Sequence, residues 1–409
     1  MALVAALGLI SWQVGVKVVG NDKTTTLPSP VRSSVTPTPP HTSASSSSAI
    51  AAPAVAYVLP GMPLPLSSTD VYAADRPGNL SPVVRNDRAL VYVPNTNSNT
   101  VTVIDQRTMT VIDTFPAGHE PQHVVPSYDL RTLYVAADYV PADGGPGAGS
   151  LTPIDPRTGI AGTPIPVEDP YNLYFTPDGK FAIVVAEARQ RLDFYDPHTW
   201  KLMDSLALPS CAGVDHMDFT ADGRTLLASC EFADRVITVD VATHRLLRTL
   251  TLPRLRDGMP QDVKLSPDGR VFYVADMMAN GVYIIDALKT EVIGFLPTGR
   301  NAHGLYIDRT STRMFVTNRG EGSISIIDLA TRSQVTKWFI PGGGSPDMGN
   351  LSADGKVLWL SGRYHNVVYA IDAQSGKLLK EIPVGAGPHG LTVWPQPGRY
   401  SLGHTGIMR

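Results

Sequence analysis

Residues 262–290 read DVKLSPDGRVFYVADMMANGVYIIDALKT. A short apolar strand (Asp262–Leu265) runs into the turn SPDG (Ser266–Gly269), and a second strand follows at Phe272–Asp276. A third ends at Ile285–Asp286 and passes into a polar turn at Thr290. Pro-Asp-Gly between apolar runs specifies a hairpin, because Pro presets one turn dihedral and Gly accepts the positive φ. An Asp followed by Thr or Ser a few residues later suits a second kind of turn, in which the carboxylate accepts the backbone N–H two residues on.

That last phrase occurs seven times. It is IDQRT at Ile104–Thr108, IDPRTG at Ile154–Gly159, YDPHT at Tyr195–Thr199, VDVAT at Val239–Thr243, IDALKT at Ile285–Thr290, IDLAT at Ile327–Thr331 and IDAQSG at Ile371–Gly376. Its aspartates recur every 41 (155 to 196) to 50 (105 to 155) residues. A period of roughly 40–50 residues built from strands and turns alone marks a radial β-repeat. The seven aspartates are read as turn formers, not as catalysts.

Each phrase is preceded by a strand such as VYVPN (Val91–Asn95), LYVAA (Leu133–Ala137), LLASC (Leu226–Cys230) or MFVTN (Met314–Asn318). TPDG, TADG, SPDG and SADG turns precede four of those strands, and a further short strand precedes each turn. One unit is therefore four antiparallel strands, a to d from the inside outward. Innermost strands start near His123, Asn172, His216, Asp262, Gly304, Met348 and Gly390, while the b–c–d sets begin at Ala89. The last innermost strand, Gly390–Val393, has no b strand after it. It is assigned to the first blade, which closes the ring and removes two exposed edges. The fold class is all-β: a seven-bladed β-propeller closed by its C-terminal strand.

These strands, SPDG turns and xIDxxT phrases resemble the YVTN-repeat β-propellers, which include bacterial exported propellers and archaeal surface-layer proteins. The haem d1 domain of nitrite reductases is a more distant relative. The resemblance covers about Leu80 to Val393 and implies the fold; it leaves the ligand open. No repeat carries the G-H…W-D pairing of WD40 propellers.

The organisation outside the repeats is read from composition. Residues 1–20 (MALVAALGLISWQVGVKVVG) are mostly apolar and are assigned to a signal or membrane anchor. Residues 21–56 are mostly Ser, Thr, Pro and Ala and are expected to form a disordered stalk. Residues 57–87 are Pro-rich and expected to wrap the propeller, which spans 88–394, with a tail at 395–409. An anchor plus such a stalk places the globular part outside the cytoplasm, as a membrane-anchored or secreted monomer. A net charge of −3 gives no global basic field for nucleic acid. GGPGAG at Gly144–Gly149 sits in an enlarged b–c loop and is expected to form a flap over the channel mouth.

Function falls to the non-repeating residues. Strand a lines the central channel, and its first two positions lie on the face that carries the d–a and b–c loops. Those positions hold His123, Asn172, Asp215, His216, Asp262, His303, Asp347 and His389, and the ends of the b strands and the b–c loops add Glu187, Asp276, Arg319 and Arg363. Imidazoles and carboxylates converging from different blades form a candidate ligand site. His123, His216, His303 and His389 are the candidate ligands of a transition-metal ion, the only cofactor suggested. The expected partner is a small molecule, a metal or a cell-surface polymer, held by a binding module. The alternative is a metal-dependent lyase, hydrolase or oxidoreductase using the same site. No G-x-S-x-G elbow is present. Cys211 and Cys230 are expected to face each other across the TADG hairpin as a disulfide; the alternative leaves Cys230 a thiolate beside His216.

Overall fold

The computed structural model describes residues 58–139, 141, 149–253 and 258–409. The expected anchor, stalk and most of the flap lie outside these residues. Seven antiparallel sheets form the blades of a propeller, each with four strands in the order a-b-c-d; blade 2 adds a fifth, Ile165–Pro166. Blade 1 takes its innermost strand from the far end of the chain. Thr392–Trp394 pairs with Leu90–Tyr92, Trp394 opposite Leu90. Among the described residues no helix is long and apolar enough to cross a membrane.

The turns follow the chemistry read from the sequence. Asp105 Oδ1 accepts the N–H groups of Arg107 and Thr108, and Asp372 Oδ1 those of Gln374 and Ser375. In the a–b hairpins the Ser or Thr hydroxyl bonds the Asp two residues on, as Ser266 does with Asp268, and Gly269 adopts φ +69°. Blade 2 has the same turn without its glycine: Ser127 bonds Asp129, and Leu130 takes φ +64°.

Two segments cover the face that carries these hairpins. Residues 58–87 run from blade to blade across it. Leu59 N–H donates to Asp222 O, Val71 N–H to Pro267 O, and Asp75 pairs with Arg309. Residues 400–409 fold back as a narrow hairpin whose tip enters the channel. Leu402 N–H bonds Ile407 O, Phe175 N–H bonds Leu402 O, and His404 N–H bonds Leu173 O. Arg409 Nη2 donates to Asp218 at 2.7 Å, and its guanidinium lies 4.6 Å from the Tyr72 ring centroid. The hairpin face is thereby stoppered, and the opposite mouth carries the b–c loops.

Cys211 and Cys230 are joined in a disulfide with Cα atoms 4.9 Å apart. Their expected ladder position needs correcting. Cys230 lies opposite Val214, because the register of the innermost strand shifts between Val214 and Met217. Cys211 reaches it from the loop before the strand, where its N–H bonds Leu208 O. The bond closes a loop with a separation of 19 residues. Reduction should therefore cost on the order of 3 kcal/mol of stability in the chain-entropy model. Urea unfolding with and without reductant checks this, and coincident midpoints would refute it.

Candidate functional site

A β-strand sends successive side chains to opposite faces, so two adjacent residues should not both face the channel. The structure resolves this with a bulge at the start of the innermost strand in blades 2 to 7. In blade 4 two residues, Asp215 and His216, stand against one, Ser229. Such a bulge re-aims a side chain and leaves a backbone group unpaired. The opposing hydroxyl supplies the missing partner. Ser229 Oγ accepts from His216 N–H at 3.1 Å, Thr317 Oγ1 from Gly304 N–H at 2.7 Å, and Ser361 Oγ from Met348 N–H at 3.2 Å. The Ser or Thr of the repeated ASC, VTN and LSG strand ends is thus a bulge partner.

Five histidines converge on the axis, all buried: His123, His216, His303, His389 and, from the tail, His404. One ring nitrogen each from His123, His216 and His404 lies within 4.8 Å of the other two. His123 is oriented by its Nδ1–H, which donates to Tyr171 O at 2.8 Å, so its unpartnered Nε2 presents a lone pair. Its ring also lies against Gly390, where an added Cβ would meet Cδ2 at 2.1 Å. Asn172 sits between the other two; its Nδ2 lies 3.1 Å from His216 Nδ1 and 3.0 Å from His404 Nδ1. Their Nε2 atoms have no hydrogen-bond partner. Asp215 Oδ1 is 3.1 Å from His216 Nε2, yet both atoms remain unpartnered because the pair is not aligned for a hydrogen bond.

The remaining two histidines belong to Asp347. His389 Nδ1–H donates to Asp347 Oδ2 at 2.7 Å, and His303 Nδ1 and Arg319 Nε stand 3.1 and 3.3 Å from Oδ1. Tyr171 O–H donates to His389 Nε2 at 3.2 Å. The expected four-histidine set is therefore divided: His123 and His216 join His404, while His303 and His389 flank a carboxylate. Asp262 Oδ1 approaches His404 Nε2 at 3.8 Å, and its Oδ2 accepts from Leu305 N–H. Asp276 Oδ1 is occupied by the N–H groups of Met259, Met278 and Ala279, which makes it a loop former. Glu187 lies on the b–c loop of blade 3, where burial and the neighbouring Glu231 of blade 4 push its carboxyl well up. Arg319 and Arg363 stand on the loops of blades 6 and 7.

Desolvation sets the protonation states. Burial holds all five imidazoles below the ordinary range, His123 at about 3, and the neighbouring His404, His123 and His389 add to the effect at His216. Burial pushes Asp215 well up, with Glu231 and Glu187 contributing, and Asp262 up to about 6 against the pull of Lys264. The cluster at neutral pH is thus a set of neutral imidazoles, which is the ligating form. Because His123 binds its proton near 3 when folded and near 6.5 when unfolded, its contribution is complete above 6.5 and is lost as pH falls. Between about pH 6 and 4 the lost stability is about 1.4 kcal/mol per pH unit. Raised carboxyls such as Asp262 act in the opposite sense, so the comparison must be between variants. His123→Asn keeps the Nδ donor to Tyr171 and should remove about that much of the pH slope in chelator-treated protein. Urea titrations at pH 4, 5 and 6 measure it; identical slopes would contradict the assignment.

The fold and site together define a seven-bladed β-propeller with a polar, histidine-lined hub. The chain belongs to the YncE-like β-propeller family, which it matches over residues 89–397. It is 29% identical over 128 residues to the uncharacterized protein YncE of Salmonella typhi and 28% identical over 128 residues to that of Salmonella typhimurium, in each case 31% of this chain. The match spans about a third of those relatives, 35% of their length. Among solved structures, the dihydro-heme d1 dehydrogenase NirN in complex with DHE is similar with a TM-score of 0.57 at 17% identity, over 78% of this chain and 77% of that one. Kuenenia stuttgartiensis hydrazine synthase gives 0.58 at 19%, over 75% and 97%. A putative 6-phosphogluconolactonase from Bacteroides uniformis gives 0.56 at 17%, over 74% and 98%. At these identities the likeness is one of fold.

Proposed function

We propose that the protein is an extracytoplasmic, membrane-tethered propeller that binds one transition-metal ion at His123, His216 and His404. The observation that supports this reading is the trio of ring nitrogens within 4.8 Å of one another, each residue with a buried, unpartnered Nε2. Nitrogens bound to zinc at about 2.05 Å stand about 3.3 Å apart in a tetrahedral site, so the nitrogens need to close by up to about 1.5 Å. Turning the Asn172 amide would place Oδ1 between two Nδ1–H groups and free both Nε2 lone pairs, at the expense of its bond from Leu173 N–H. Asp262 stands ready as a carboxylate ligand or proton acceptor, and Asp215 would become one on losing the proton that burial favours. Three imidazoles with a carboxylate suit zinc, copper or iron better than magnesium or calcium. Metal analysis of the purified protein and of histidine variants tests the reading.

One observation favours a second reading, in which the same site does chemistry. Asp347, His389 and Tyr171 form a continuous hydrogen-bonded chain beside the trio. In an enzyme, that chain would draw the Tyr171 hydroxyl proton towards His389 Nε2 and let the phenol oxygen accept a proton from a bound substrate. Tyr171→Phe would then abolish turnover while leaving metal content unchanged. Loss of metal would place Tyr171 in a purely structural role.

A further inference from the structure

We propose that the mouth also holds a small monoanion, a carboxylate or an oxyanion, between the guanidinium groups of Arg319 and Arg363. This extends the reading of the mouth as a ligand site and does not depend on the metal. Arg319 is only 7% exposed, yet its partners are weak. Nη1 donates to Tyr364 Oη at 3.4 Å and Nη2 to the Met277 sulfur at 3.1 Å. Its Nε lies 3.3 Å from Asp347 without forming an aligned hydrogen bond. A guanidinium carries five N–H donors, and a thioether is a poor acceptor for one of them. Arg363 Nη1 is buried with no partner at all. Buried donors left without acceptors are costly, and a guanidinium fork matches a planar carboxylate or a singly charged oxyanion; Arg319 and Arg363 both lie within electrostatic reach of His389 and Glu231.

The charge balance points the same way. Asp347, the carboxylate beside Arg319, is shared by Arg319, His303 and His389. Arg363 lies within electrostatic reach of His123, His389 and Glu231. Burial and the mutual repulsion of Glu231 and Glu187 favour one shared proton, so that wall carries less than two charges. Two guanidiniums thus stand against Asp347 and a wall of about one charge, so the mouth is near neutral and lacks hydrogen-bond acceptors more than it lacks charge. That favours a monoanion and disfavours a polyanion, which would be driven against the acidic wall.

The test uses the full chain, treated with chelator, in a low-chloride buffer. Acetate and inorganic phosphate are titrated in turn by isothermal titration calorimetry. Acetate is expected to bind with one site, and Arg363→Gln to weaken it by about tenfold or more with an unchanged melting temperature. Glu231→Gln removes the competing acid and is expected to tighten acetate binding. The proposal is overturned if acetate produces no heat in the parent protein, or if Arg363→Gln binds it equally well. Phosphate binding that tightens as pH rises from 6 to 8, while the dianion replaces the monoanion, would likewise contradict a monoanion site. Metal content is measured on the same preparations after metal loading and desalting, before chelator is added: a parent protein that retains no metal yet binds acetate condemns only the metal reading, and one that retains metal but ignores acetate condemns only this one.

Discussion

Deleting residues 385–409 is expected to abolish the soluble monomer. The deletion removes Thr392–Trp394, which pairs with Leu90–Tyr92, and leaves that strand without its inner neighbour. It also strips out Leu391, Val393, Trp394, Tyr400, Leu402, Ile407 and Met408, all buried. At about 1.5–3 kcal/mol for each large apolar side chain, the loss is about 10–20 kcal/mol, comparable to the whole stability of a domain. The bare edge would then template association between chains. Size-exclusion chromatography and thermal melting measure the outcome, and a monomeric truncated protein with an unchanged midpoint would sink the closure scheme.

A second large effect is expected at the foot of the tail. Asp218 is fully buried; its Oδ1 accepts from Arg409 and its Oδ2 from Leu265 N–H. Asp218→Ala leaves Arg409 as an unpaired charge on an apolar floor, against the Tyr72 ring. Breaking a buried pair in this way costs about 3–5 kcal/mol. Replacing both partners, as in Asp218→Leu with Arg409→Met, should recover much of that loss, because the uncompensated charge disappears. Urea unfolding of the parent, single and double variants distinguishes the two. A single variant within about 1 kcal/mol of the parent would show that the tail hairpin does not depend on this pair.

The parts of this molecule that were legible in the sequence are those governed by local chemistry. The Asp turns, the Ser/Thr-x-Asp-Gly hairpins and the apolar strands each need particular residues at fixed offsets, so their seven-fold recurrence announced the blades. Sorting residues by loop face placed His123, His216, His303 and His389 on one rim. The bulges were hidden, since no residue type dictates them; their trace was the hydroxyl of Ser229, Thr317 and Ser361, which reads as ordinary strand composition. Because of the bulge, Cys230 faces Val214 and Cys211 approaches from outside the ladder. His404 was out of reach for a different reason. Its position follows from where the apolar tail finds burial, and residues 395–409 contain no repeat to fix their path. Tyr171 and Asn172 stood in the strand-start pair of blade 3, but a hydroxyl and an amide gain their meaning only from the imidazoles brought beside them.

The most direct test of the histidine hub is the metal content of the desalted protein after incubation with zinc or copper. The account predicts about one equivalent retained, tetrahedral or nearly so, and its loss in His216→Ala and His404→Ala variants whose circular dichroism matches the parent. Retention of the same amount by a His123→Ala/His216→Ala/His404→Ala variant, or no metal retained by the parent protein, would contradict it.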